Sequence, residues 1–216
     1  NYLGMVYKGG IIVPGLMGLL LMTLVFSVER FIVLKKAAGN GNLDNFVKGV
    51  LSQIKSGDVQ GAISACDIQE GSVANVIKAG LLKSEQVKRD GLDVDTATEN
   101  ITKEVEQATS LEMPMLEKHL TIISTLVSIG TLLGLLGTVS GMIKAFAGLA
   151  EGTPDQAELA NGISEALINT ATGIGTSTMA VIAYNYFTSK IDTLTYFIDE
   201  AGFAISQAYK RAKGGN

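Results

Sequence analysis

Two threonines and one carboxylate, Thr138, Thr170 and Glu165, have the types and setting for chemistry in this 216-residue chain. Both threonines lie inside long uncharged runs, where a hydroxyl without water must find a partner. Thr138 and Thr170 stand at equal sequence distances before and after Pro154. A hairpin turning near Thr153-Pro154 therefore brings both to nearly the same depth in a bilayer. Two such hydroxyls per subunit, repeated round a cyclic oligomer, form a polar girdle in a low-dielectric wall. That girdle suits the hydration of one buried ionisable group. Glu165 lies near the outer mouth of the third run, where it reads either as an entrance group or as a carboxylate stabilised at a helix N-terminus. Glu29, at the inner end of the first run, reads as a snorkelling pair with Arg30. No carboxylate stands mid-run, so the chain brings no membrane-centre proton carrier of its own.

Other chemistries find little support. His119 is the single histidine, and no Ser–His or metal-binding cluster can be assembled round it. GLLGTVSG (134–141) lacks the lysine of a phosphate-binding loop. Cys66 is the single cysteine, so no intrachain disulfide forms. No enzyme activity, cofactor, metal or nucleic-acid partner is expected. Gly130, Gly134, Gly137 and Gly141 repeat at small-xxx-small spacing, which lets helices approach closely, within one subunit or between subunits. In the third run Asn169, Thr170, Thr172, Gly173, Gly175, Thr176, Ser177 and Thr178 are all small or polar. Back-bonding to the helix can satisfy the hydroxyls; the other reading is a face lining a cavity, a pore or a partner helix. Gly134, Gly137, Gly141 and Ser177 are the secondary pore or packing candidates.

The elements that position these residues follow from where charge is missing. The chain is 47% hydrophobic, 18% charged and without Trp, with a mean hydropathy of +0.31. Ile11–Val28, Leu120–Ile143 and Ala166–Ser189 carry no Asp, Glu, Lys, Arg or His. About 20 apolar residues cross the hydrocarbon layer, so each window is a membrane span. The first segment does not read as a cleaved leader, since no small-residue cleavage site follows it and it ends in Glu29-Arg30. Lys and Arg gather on cytoplasmic flanks. Arg30, Lys35 and Lys36 follow the first span, Lys118 precedes the second, and Lys190, Lys210, Arg211 and Lys213 follow the third. The loop between the last two spans is acidic, and Lys8 and Lys144 lie close enough to span ends to snorkel. The predicted organisation is a periplasmic N-terminus (1–10), span 11–34, cytoplasmic helical region 35–118, span 119–148, periplasmic loop 149–161, span 162–189 and cytoplasmic C-terminal helix 190–216. This is an all-α membrane protein with long cytoplasmic helical extensions and lipid around it.

The cytoplasmic stretch has helical periodicity throughout. Leu43, Phe46, Val47, Val50, Leu51 and Ile54 share one face until Gly57-Asp58 breaks the run. Val59, Ala62, Ile63 and Cys66 make a second short helix, and Val73, Val76, Ile77, Gly80 and Leu81 a third. From about Asp95 a polar helix carries Ile101, Val105, Ala108 and Leu111 toward the membrane, with Pro114 expected to kink it or shift its register.

LLGLLGTVSGMIKAF (132–146), GISEALINTATGIG (162–175), AYNYF (183–187) and VERF (28–31) together resemble the MotA/TolQ/ExbB proton-channel family, on its three-span TolQ/ExbB side. The resemblance covers the topology of nearly the whole chain. It implies a channel subunit of a bacterial inner-membrane motor. The subunit would form a homo-pentamer around single-span partners of the ExbD/TolR type, with the partner's transmembrane aspartate as proton carrier. It also implies a TonB/TolA-type transducer as a further partner. The family's pore threonines fall on Thr138 in GTVSG and Thr170 in NTATG, and its membrane glutamate on Glu165. Many relatives have proline where this chain has Thr131 and Met179, so its helices should be locally straighter. The competing expectation is a non-conducting scaffold that binds a single-span partner.

Overall fold

A computed structural model describes residues 10–150 and 156–214, and every regular element among them is helical. A short turn, Gly10–Ile12, leads into α1 (Val13–Ala38). Then come α2 (Leu43–Ser56), α3 (Val59–Gln69), α4 (Gly71–Arg89), α5 (Val94–Glu117), α6 (Leu120–Ala150) and α7 (Gln156–Gly214). Three of the helices, α1, α6 and α7, contain windows long and apolar enough to cross a membrane. The first nine residues, including Lys8, and the predicted turn at Thr153-Pro154 lie outside the described residues.

The chain divides into two compact regions. The first comprises residues up to Arg30 together with 119–187: most of α1, α6 and the first half of α7. Its interior holds Leu16, Ile123 and Leu126 but also Thr23, Asn169 and Thr176, all almost fully buried. Leu21, Leu132 and Ile182, each 63% exposed, point outward. Such an arrangement suits lipid as solvent, because every backbone amide of a helix is already bonded internally.

The second region comprises residues 31–118 and 188 onward. Here the sequence signals for helix ends work as local physics predicts. Asn42, Asp58 and Asp93 each accept a hydrogen bond from a backbone N–H in the first turn of α2, α3 and α5. The Thr96 N–H holds the Asp93 carboxyl below its ordinary value. Gly57 closes α2 in the left-handed conformation, φ 82°. Gly71 opens α4 at φ 84°, and a β-carbon there would lie 2.6 Å from the Ala37 carbonyl oxygen, so only glycine fits. Val50, Ala62, Val76, Ile77 and Ile101 form the core together with Ile198 and Ile205 of α7. Cys66 lies in this core, where burial pushes its thiol up to about 12.

The helix that carries Pro114 runs through it to Glu117, and the break comes at Lys118 (ψ 135°) and His119 (φ 65°). A proline removes one amide donor but leaves its neighbours bonded, whereas an extended residue followed by a left-handed one ends the ladder. The third predicted span and the C-terminal helix belong to one 59-residue helix.

Candidate functional site

The site is built on a seam between α6 and α7. On α6 its buried positions include Gly130, Gly134, Gly137, Gly141 and Ala145; on α7 they include Gly162, Ala166, Asn169, Gly173 and Ser177. A β-carbon at Gly134 would stand 3.1 Å from the Gly173 α-carbon, and one at Gly173 would stand 2.6 Å from the Gly130 carbonyl oxygen. A β-carbon at Gly141 would come within 2.7 Å of the Gly162 carbonyl oxygen. The glycine repeat thus lets two helices of one chain meet backbone to backbone.

Close approach brings the threonines together. The Thr138 and Thr170 hydroxyls are in direct hydrogen-bond contact, and both side chains are half-buried. The Gly134 carbonyl lies 3.2 Å from the Thr138 Oγ1 and 3.4 Å from the Thr170 Oγ1; the Ala166 carbonyl lies 3.2 Å from the latter. Two hydroxyl protons therefore face more acceptors than they can serve at once. The pair can reorient without leaving either oxygen unbonded, the property needed of a group that solvates a charge whose state changes.

A second interhelical polar contact joins Thr131 and Ser177, which are also equidistant from Pro154. The Thr131 hydroxyl donates to Ser177 Oγ at 2.9 Å, and Ser177 donates to the Val127 carbonyl at 2.7 Å. Thr131 thus places a hydroxyl in the seam. Glu165 is 14% exposed and pairs with Lys144 Nζ at 2.7 Å. A β-carbon at Gly10 (φ 70°) would run into the Glu165 carboxylate and push it aside. This ion pair escapes the sequence reading, although Lys144 and Glu165 stand almost equally far from Pro154, by the same mirror that pairs the threonines. Asn169 is fully buried, and neither atom of its amide has a hydrogen-bond partner among the described residues. It packs its β-carbon against Gly137.

A separate polar cluster occupies the other end of this region. Arg30, 1% exposed, grips Glu29 through Nε at 2.6 Å and Nη2 at 2.5 Å. The His119 Nδ1 lies 3.2 Å from the same carboxylate, and its ring lies 5.1 Å from Phe26. The adjacent Glu29-Arg30 pair is legible in sequence; the burial of Arg30 and the contact with His119 are not. No group of three or more His, Cys, Asp or Glu side chains suited to a metal occurs among the described residues.

Residues 69–200, more than half of the chain and including the whole seam, match the MotA/TolQ/ExbB proton channel family. The chain belongs to that family. It is 36% identical over 129 residues to the Tol-Pal system protein TolQ of Pseudomonas aeruginosa, covering 58% of this chain and 55% of TolQ. It is 26% identical over 207 residues to an ExbB-like protein of Synechocystis, covering 94% and 92%. With the biopolymer transport protein ExbB of Pseudomonas putida the identity is 26% over 146 residues, covering 67% and 44%. The chain thus spans about half the length of the two Pseudomonas proteins it matches. Membership in a membrane channel family agrees with three helices apolar enough to span a bilayer.

Proposed function

We propose that this chain is the proton-channel subunit of a bacterial inner-membrane motor. In this reading it forms a homo-pentamer round ExbD/TolR-type single-span partners. The assembly couples proton-motive force to work on an outer-membrane or envelope process, through a TonB/TolA-type transducer. The N-terminus is periplasmic, residues 35–118 and the C-terminus are cytoplasmic, and the 149–161 loop is periplasmic. Thr138 and Thr170 solvate the partner's membrane aspartate in its charged and neutral states, and Glu165 shapes the outer entrance. Gly134, Gly137, Gly141 and Ser177 hold α6 and α7 in the register that keeps the threonines together.

The observation that carries this reading is the Thr138–Thr170 hydroxyl contact with carbonyls to spare, formed at a level of the seam that holds no charged side chain. One charge crossing 100 mV releases about 2.3 kcal/mol, so mechanical work draws on several protons. Thr170→Val keeps the shape of the side chain and removes the hydroxyl. We expect it to abolish energised work in cells while native mass spectrometry still finds five copies with their partners. Normal work by the mutant would remove the threonine pair from the mechanism.

A scaffold reading rests on the same contact, since both hydroxyls are also bonded within the protomer. It requires Thr138→Val and Thr170→Val to be tolerated and proton-motive force to be irrelevant. It also requires the chain to be extracted as a monomer or dimer without an aspartate-bearing partner.

A further inference from the structure

The second region holds a cavity of about 190 Å³ outside the membrane-spanning helices' seam. Its apolar walls include Ile54 of α2, Leu81 of α4 and Ile205 of α7, with the ring of Tyr209 alongside. This volume exceeds the roughly 150 Å³ of a cavity that accepts benzene. It falls short of the roughly 300 Å³ at which drug-sized sites begin. The space therefore suits one ring or one branched chain and excludes a nucleotide.

The polar groups at this cavity are only partly used by the rest of the fold. Elsewhere on α4, Lys78 pairs with Asp67 at 2.5 Å and Lys83 with Glu104 at 3.8 Å. Lys88 and Lys213, which line the cavity, make no ion pair among the described residues. The Lys213 Nζ stands 5.8 Å from the Tyr209 ring centre and donates one bond, to the Leu92 carbonyl at 3.1 Å, so two of its three protons remain. Tyr209 is 8% exposed, and its hydroxyl has no hydrogen-bond partner among the described residues. Glu85 also lines the space and accepts from the Gln60 amide at 2.9 Å. Two ammonium groups against one carboxylate leave the lining net positive.

We propose that this cavity is a binding site for a small carboxylate with a single-ring or branched apolar body. The apolar part fills the space between Leu81 and Ile205, and the carboxylate meets Lys88 and Lys213. Ligand occupancy would join three segments, the α2–α3 corner, α4 and the end of α7, through one small molecule. This gives the cytoplasmic helices a means to respond to metabolite level, whatever the membrane helices do.

The test uses the full chain in lipid nanodiscs, with empty discs as the blank, and saturation-transfer NMR with phenylacetate as probe. We expect saturable binding that is at least about tenfold weaker for phenylacetamide, because a factor of ten, about 1.4 kcal/mol, is the least that losing a charge-assisted contact removes. Phenethylamine should not bind. Ala208→Leu, which fills the cavity from the surface of α7, should abolish the signal; Lys88→Gln with Lys213→Gln should weaken it about tenfold or more even if the leucine disturbs folding. Equal binding of acid and amide, or phenylacetate binding that survives both variants, would overturn the site.

Discussion

The two regions of this chain solve the problem of an interior in opposite ways. In residues 31–118 and 188 onward, branched aliphatic side chains fill the inside and charges cover the outside, with Lys48–Asp44 and Lys78–Asp67 paired in the open. Helix ends are capped by side chains or by left-handed glycines. In the membrane region the inside is made largely of glycine, alanine, serine, threonine and one asparagine, while many leucines and isoleucines face out. Water drives the first arrangement through burial of apolar area. Lipid offers no such gain, so helices there are joined by close backbone packing and by hydrogen bonds that have nowhere else to go. A glycine inside a helix with open space around it, such as Gly49, is therefore a weak point in one region, while helical glycines are the fastening in the other.

The largest effect should come from a glycine of the seam that faces backbone on every side. Gly173→Val adds a branched side chain where even a β-carbon would sit 2.6 Å from the Gly130 carbonyl oxygen and 2.7 Å from the Gly134 α-carbon. Backbone cannot yield as a flexible side chain does, so α6 and α7 must separate, and the Thr138–Thr170 contact is lost with them. We expect loss of the folded membrane region and of assembly, read as a failure to purify an oligomer. The second region should keep its helical content when the variant is followed by circular dichroism. A Gly173→Val variant that assembles and works normally would show that the seam is not what joins the helices.

How far sequence reached depends on the range of the physics. The spans are legible because uncharged windows as long as Leu120–Ile143 and Ala166–Ser189 have few other uses. The α2–α3 boundary is legible because Gly57-Asp58 supplies a left-handed end and a new cap in adjacent positions. The threonine contact is legible because an antiparallel pair is symmetric about its turn. That same symmetry reaches Thr131–Ser177 and Lys144–Glu165 once it is applied to every polar residue. The contact between Glu29 and His119 is not legible, since it joins positions far apart in the chain with no shared period. The passage of α5 through Pro114 is also hidden, because a proline's local cost can be outweighed by packing that the sequence does not display.

A smaller effect, of the opposite sign, should follow at Asn169. Its amide is fully enclosed and makes no hydrogen bond among the described residues, and an unsatisfied buried polar group costs about 1–3 kcal/mol. Asn169→Ala keeps the β-carbon that packs on Gly137 and removes that cost, at the expense of a small void. We expect a net gain of about 1 kcal/mol in resistance to unfolding by denaturing detergent. A loss instead would mean that the amide finds a partner in the assembled channel and belongs to its working surface.

The smallest effect sharpens the comparison most directly, because it repeats one substitution in both regions. Gly49, in the middle of α2, has open space where a β-carbon would go, while a β-carbon at Gly134 would meet Gly173 at 3.1 Å. An exposed helical glycine gives up about 0.5–1 kcal/mol relative to alanine, through the backbone freedom it loses on folding. Gly49→Ala should therefore stabilise the second region by about that amount. Gly134→Ala receives the same propensity gain but forces two helices apart by several tenths of an ångström, which removes dispersion contacts along the whole seam. Thermal unfolding followed separately in the two regions should move up for Gly49→Ala and down for Gly134→Ala. Two upward shifts would mean that the seam has slack, and close packing could then no longer explain how the threonines are held.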